Sequence, residues 1–89
     1  MYKISDYSYK KAKELNVEIK PSKKKNKKID VYKNGNLIAT IGDSRYLDYN
    51  SYLKLHGEKV ANEKKRLYKL RHQNDIHKGN GFYADKILW

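Results

Sequence analysis

Asn34-Gly35 sits between two runs of strand-forming residues, and that placement constrains the fold more than any other feature of the chain. Before it, IDVYK alternates, with Ile29, Val31 and Lys33 on one side and Asp30 and Tyr32 on the other. After it comes NLIATIG. Asn-Gly supplies the two positive φ angles that a two-residue hairpin turn requires. The spacing predicts a hairpin of strand 29–33, turn 34–35 and strand 36–41. VEIK, residues 17–20, alternates apolar and charged side chains and predicts a third strand, closed by Pro21. Three strands are stable only with something packed on one face, so helices are required.

The helices are readable from their caps. Ser5 and Asp6 are N-cap residues before DYSYKKAKEL, with Ser8, Ala12 and Leu15 inward and Asn16 closing. Asp48 caps YNSYLKLH, which ends at Gly57 and sets Tyr49, Tyr52, Leu53 and His56 on one face. Gly57 to Gly79 is the longest segment with no internal Gly or Pro, and predicts a helix of about five turns. On that helix Val60, Ala61, Leu67 and Tyr68 share an arc with Lys64, Arg71 and Asp75, opposite Lys59, Lys65, Arg66, Lys69 and His77. Arg71 and Asp75, four apart, are expected to form a partly buried ion pair. Gly79-Asn80-Gly81 reads as a flexible break. Phe82 to Trp89 then forms a short helix or an extended arm, with Trp89 docked on the core and its indole N–H bonded. The sum is one α+β domain over residues 1–89: a small three-stranded antiparallel sheet packed by an N-terminal helix and a long C-terminal helix.

Charge bounds the function. The chain carries 21 Lys and Arg against 10 Asp and Glu, a formal charge of +11. A compact fold with that excess is strained by self-repulsion unless an anion relieves it. All but Arg45, Arg66 and Arg71 of the basic residues are Lys, which meets phosphate as a hydrated point charge and does not read base edges. PSKKKNKK, residues 21–28, holds five Lys in eight positions and reads as a mobile loop. Phosphate contacts are therefore expected from Lys23, Lys24, Lys25, Lys27 and Lys28 on the loop and from Lys65, Arg66 and Lys69 on the helix, with Tyr32 available to stack on a base. The chain has no Cys, which excludes disulfides and thiolate metal sites. No secretory signal is visible in residues 1–20, and no window is apolar for long enough to span a bilayer. A setting in a virion or host-cell interior fits.

Catalytic signatures are missing. Arg71, His72 and Asp75 form the one cluster that could support acid–base chemistry. His72 and His77 would point about 140° apart on a straight helix and could not share a metal. Gly42-Asp43-Ser44 lacks phosphate-loop spacing. Neither an enzyme, nor a metal, nor a cofactor is expected.

Several pieces together resemble a small family of basic proteins from large double-stranded DNA viruses of algae and amoebae, and from some phages. They are YKISDYSYKKAKELNV at the start, KIDVYKNG in the hairpin, Asp48-Tyr49 with Tyr52, RLY with RH and Asp75, and YADK with Leu88-Trp89. The resemblance runs nearly end to end. It implies a viral or phage origin and transfers no activity. The expectation is non-specific nucleic-acid binding, DNA ahead of RNA. The alternative is a minor virion component that docks on an acidic protein surface through Trp89 and the paired tyrosines. Anionic membrane is a weaker third, because the basic segments lack an adjacent apolar face.

Overall fold

The computed structural model describes residues 2–89. Its elements run α1 (Asp6–Glu14), β1 (Glu18–Pro21), β2 (Lys27–Lys33), β3 (Asn36–Asp43), α2 (Tyr49–His56), α3 (Glu58–Arg71) and α4 (Gly79–Leu88). The fold is α+β, with one antiparallel sheet in the order β1-β2-β3. No helix among the described residues is long and apolar enough to cross a membrane.

The expected hairpin forms. Asn34 and Gly35 adopt φ of 53° and 80°, and Val31 pairs with Ala39 and Ile29 with Ile41. It is longer at its open end than the alternation implied, because Lys27, Lys28, Gly42 and Asp43 continue the strands. Between Val31 and Tyr32 the register shifts, leaving Ile38 as an extra residue on β3. β1 adds to the other side of β2, with Ile19 opposite Val31 and Pro21 opposite Ile29. Strand alternation therefore gathers Ile19, Ile29, Val31, Ala39 and Ile41 on one face, where they join Ala12 of α1 and Ile87 and Leu88 of α4 in the core. Ser5 caps α1 by accepting from the Ser8 amide, and Asn16 leaves the helix at φ 57°. The buried Ser8 hydroxyl donates to the Ile87 carbonyl at 2.9 Å, which fastens α1 to α4. The Thr40 amide donates to Asn80 Oδ1 at 3.3 Å, which fastens α4 to the edge of β3.

Three expectations about the C-terminal half are corrected. α3 ends at Arg71, and residues 72–78 are a run of turns. The Asp75 amide bonds back to the His72 carbonyl at 2.7 Å, so the chain is bent where a straight helix was expected. Asn74 and Asp75 hold a helix weakly, and α4 competes for the same space. Gly81 packs so close that a Cβ there would lie 1.8 Å from the Asp75 carbonyl oxygen. The Arg71–Asp75 pair consequently does not form. Asp75 lies 3.5 Å from His72 Nδ1, and Arg71 has no carboxylate within 4.0 Å among the described residues. Gly79 to Gly81 is not a break but the first turn of α4. Trp89 docks as expected, stacked on Tyr68 at 4.5 Å and 9°, with its main-chain oxygen accepting from the Tyr7 hydroxyl at 3.1 Å. Its indole N–H has no partner among the described residues.

The Lys-rich loop is also smaller than expected. Pro21 belongs to β1 and Lys27 and Lys28 to β2, and the Ser22 amide donates to the Lys28 carbonyl at 3.0 Å. Lys28 is buried, with 4% exposure. Its ammonium lies 3.2 Å from Asp48 Oδ2 and 5.3 Å over the Tyr2 ring. The Tyr2 hydroxyl donates to the same oxygen at 2.6 Å. Asp48 Oδ1 accepts from the Ser51 amide, as the cap of α2 should. Burial alone would push the Asp48 carboxyl up, but Tyr2, Lys28 and Ser51 together outweigh it and hold it below its ordinary 3.8. Burial and the Asp48 carboxylate drive the Tyr2 hydroxyl well above the usual phenol range.

Asp48→Asn leaves the Lys28 ammonium buried without a counter-charge, and is expected to cost about 3–5 kcal/mol by urea unfolding at neutral pH. In Lys28→Met/Asp48→Asn the loss should be smaller than the sum of the two singles; simple additivity would show that the pair is not coupled. Because the folded carboxyl titrates low, its contribution is present above pH 3.8 and is lost as the pH falls through the depressed value. Melting temperatures taken down an acid series should drop more steeply for the wild type than for Asp48→Asn.

Candidate nucleic-acid interface

α3 packs along α2, and the inward positions are Ala61, Lys65, Tyr68, Lys69 and His72, with Ala61 fully buried. That arc is rotated from the one that periodicity suggested, and it draws two of the expected phosphate contacts inward. Lys69 Nζ lies 2.6 Å from Asp85 Oδ1, whose side chain is 2% exposed. The approach is too oblique for a directed hydrogen bond, so the attraction is chiefly charge on charge. Lys65 lies over the Tyr49 ring at 5.1 Å, and burial, followed by Lys69 and Lys11, pushes its ammonium down. Arg66 remains exposed but is forked onto Glu63, one turn back. With Lys28 buried against Asp48, the expected set loses Lys28 and Lys69 outright. Tyr32 is half-buried, with Lys20 over its ring at 5.3 Å, and is no bare stacking platform.

Lys23, Lys24, Lys25 and Lys27 are exposed, and none has a carboxylate within 4.0 Å among the described residues. They occupy the β1–β2 connection and the start of β2. The Ser44 amide donates to the Asn26 carbonyl at 3.0 Å, so this lysine tip rests against the loop that leads into α2. On that loop Arg45 is forked onto Asp43 and holds its carboxyl at about 2.

Beside the tip a cleft of about 540 Å³ opens between the sheet end and α3 and α4. Its inner wall is a column of rings: Tyr52 lies 6.1 Å from Trp89, and Trp89 is stacked on Tyr68. Gly42 forms part of the floor at φ 79°, where a Cβ would come within 2.8 Å of Leu88 Cδ1 and 2.9 Å of Lys28 Cδ. Lys27 stands on one rim and Lys64 and Arg71 on the other, all exposed. Sequence reasoning left Lys64 and Arg71 out of the site. The signal was present in the apolar arc they interrupted, since an arc that faces an open cleft accommodates charge where a packed one does not. Lys27, at the base of the lysine tip, and these two α3 cations thus lie around one cavity.

Among the described residues no three His, Asp or Glu side chains gather into a possible metal cage. Among the described residues, five of the 21 Lys and Arg side chains lie within 4.0 Å of a carboxylate. The arrangement can bring several unpaired cations to one polyanion, and it offers aromatic surface between them.

Lys69→Met strands the Asp85 carboxylate and is expected to destabilise the fold by about 2 kcal/mol, reduced from the fully buried case because the lysine is partly solvated. Lys23→Met should stay within about 0.5 kcal/mol of wild type. Equal unfolding midpoints for the two variants would contradict the assignment of Lys69 to the fold. Comparison with protein-family models, with curated proteins and with solved structures finds no match for this chain.

Proposed function

We propose that the chain binds nucleic acid, DNA ahead of RNA, through phosphate contacts that do not read sequence. The supporting observation is a set of cations without carboxylate partners: Lys27, Lys64 and Arg71 line the cleft, and Lys23, Lys24 and Lys25 lie on the connection that leads into Lys27. Each phosphate that meets one of them releases condensed counterions, which supplies the free energy of association and makes it salt-dependent. Lysine predominance suits this mode, because an ammonium satisfies a phosphate at many angles. The resemblance to the viral family makes a viral or phage genome the polymer proposed.

The acidic-protein reading has one observation in its favour. Leu55 and Leu70 are 66% and 57% exposed, two separate apolar side chains of the kind a protein partner covers. The anchors first assigned to it do not serve, since Trp89 and Tyr52 stack inward.

Binding of DNA measured across a salt series separates the two. About six phosphate contacts lower affinity roughly a thousandfold between 50 and 200 mM salt. Replacing Lys23, Lys24, Lys25 and Lys27 together by Ser should reduce the slope of log affinity on log salt by up to about 3.6. Lys28 stays in place, because its loss would destabilise the fold and imitate a binding defect. A flat salt response, or an unchanged slope in the quadruple variant, overturns the proposal.

A further inference from the structure

Resting on the phosphate-contact reading, we infer that the cleft receives one unstacked nucleobase, so that single-stranded nucleic acid is preferred over duplex. The cleft is within the size range of sites for single small organic groups. A cavity of that volume cannot take in a duplex, which meets it from outside. A duplex also keeps its π faces stacked internally and presents edges and phosphates. Only an unpaired strand has a base face free to enter.

The lining fits that occupant. Tyr46 stands at the mouth, 68% exposed, with the Arg45 guanidinium 6.0 Å from its ring centroid and no other ring paired with it among the described residues. The turn that holds it is fixed by its own amide, which donates to the Asp43 carbonyl at 3.0 Å. Opposite lie Leu67 of α3, 36% exposed, and the edge of the column in which Trp89 is the middle ring. A flat apolar group between Tyr46 and this wall gains stacking on one side and van der Waals contact on the other. Charge selects what the flat group is attached to. Lys27, Lys64 and Arg71 ring the opening without carboxylate partners, while the nearby Asp43 is neutralised by Arg45. A base with a phosphate on either side satisfies both demands, whereas an uncharged aromatic metabolite brings no anion to Lys27 and Arg71, or to Lys64, which lies 5.7 Å over the Tyr52 ring. Stacking tolerates any base, which agrees with binding that reads no sequence.

Trp89 is the only tryptophan and lies in the cleft wall, so its fluorescence reports occupancy. The probes are a short oligothymidylate, an abasic oligomer of the same length and charge, the matching duplex, and thymidine monophosphate. One stacked base is worth about tenfold in affinity, so oligothymidylate should bind about tenfold tighter than the abasic oligomer and quench Trp89. Tyr46→Ala, a change at an exposed ring that leaves the unfolding midpoint in place, should erase that difference and retain abasic binding. Equal affinity of wild type for the two oligomers overturns the inference and leaves the phosphate reading intact. Tighter binding of duplex than of single strand does the same. Thymidine monophosphate quenching as well as the oligomer would reassign the cleft to free nucleotides and overturn the polymer assignment. No binding of any oligomer removes both readings together.

Discussion

The structure depends on one lysine kept away from water. Lys28 lies at the open end of the hairpin, on the strand that both neighbours pair with, and its ammonium is enclosed by Asp48 and the Tyr2 ring. A buried cation is tolerable only with a counter-charge and further hydrogen bonds. Both come from distant points of the chain. Asp48 is the residue on which α2 starts, so satisfying Lys28 also sets where the α2–α3 pair begins relative to the sheet. Tyr2 is drawn in from the N-terminal lead-in. A polar contact thus specifies how the sheet, the start of the chain and the helical half meet, which an apolar contact of the same size would do with less directional preference.

Beyond that point the helical half is joined to the rest by rings more than by aliphatic packing. Tyr7 meets Tyr49 at 5.4 Å, and Trp89 lies between Tyr52 and Tyr68. α3 buries Ala61 against α2, stacks Tyr68 on Trp89 and sets Lys69 on Asp85. Leu53, Val60, Leu67 and Leu70 on the same pair of helices remain substantially exposed. A chain of this length has too few aliphatic residues to fill a second layer, and tyrosine covers more area per residue at modest entropic cost. The cleft is the space that such sparse packing leaves, which places apolar rings and unpaired cations within reach of one ligand.

The local half of the fold was legible in the sequence, because its signals act over a few residues. Asn34-Gly35 determines a turn through two φ angles, Ser5 and Asp48 cap through their own side chains, and Val17 to Lys20 alternate. What was missed depends on residues far apart. Nothing near Lys28 distinguishes it from Lys27, since its partners lie 20 and 26 positions away, at Asp48 and Tyr2. Asp85, which draws Lys69 inward, lies on α4 and so off any helical wheel of α3. The early end of α3 follows from Gly81 pressing on Asp75, a tertiary contact that overrides an uninterrupted helical pattern. For the candidate site, the lysine tip was readable from composition, while Lys64, Arg71 and Tyr46 needed the cleft to be seen first.

Ile38 has a bearing on how so small a sheet stays solitary. Strand edges are templates for other strands, and long flat ones recruit neighbours. β1 offers only four residues and finishes on a proline, which has no amide to donate. β3 is longer, but Asn80 occupies its Thr40 amide, and the additional residue at Ile38 bends the stretch that carries the exposed Leu37. Neither margin presents an unbroken ladder of free donors and acceptors. Copies that lie side by side at high local density are thereby protected against fusing edge to edge into fibres.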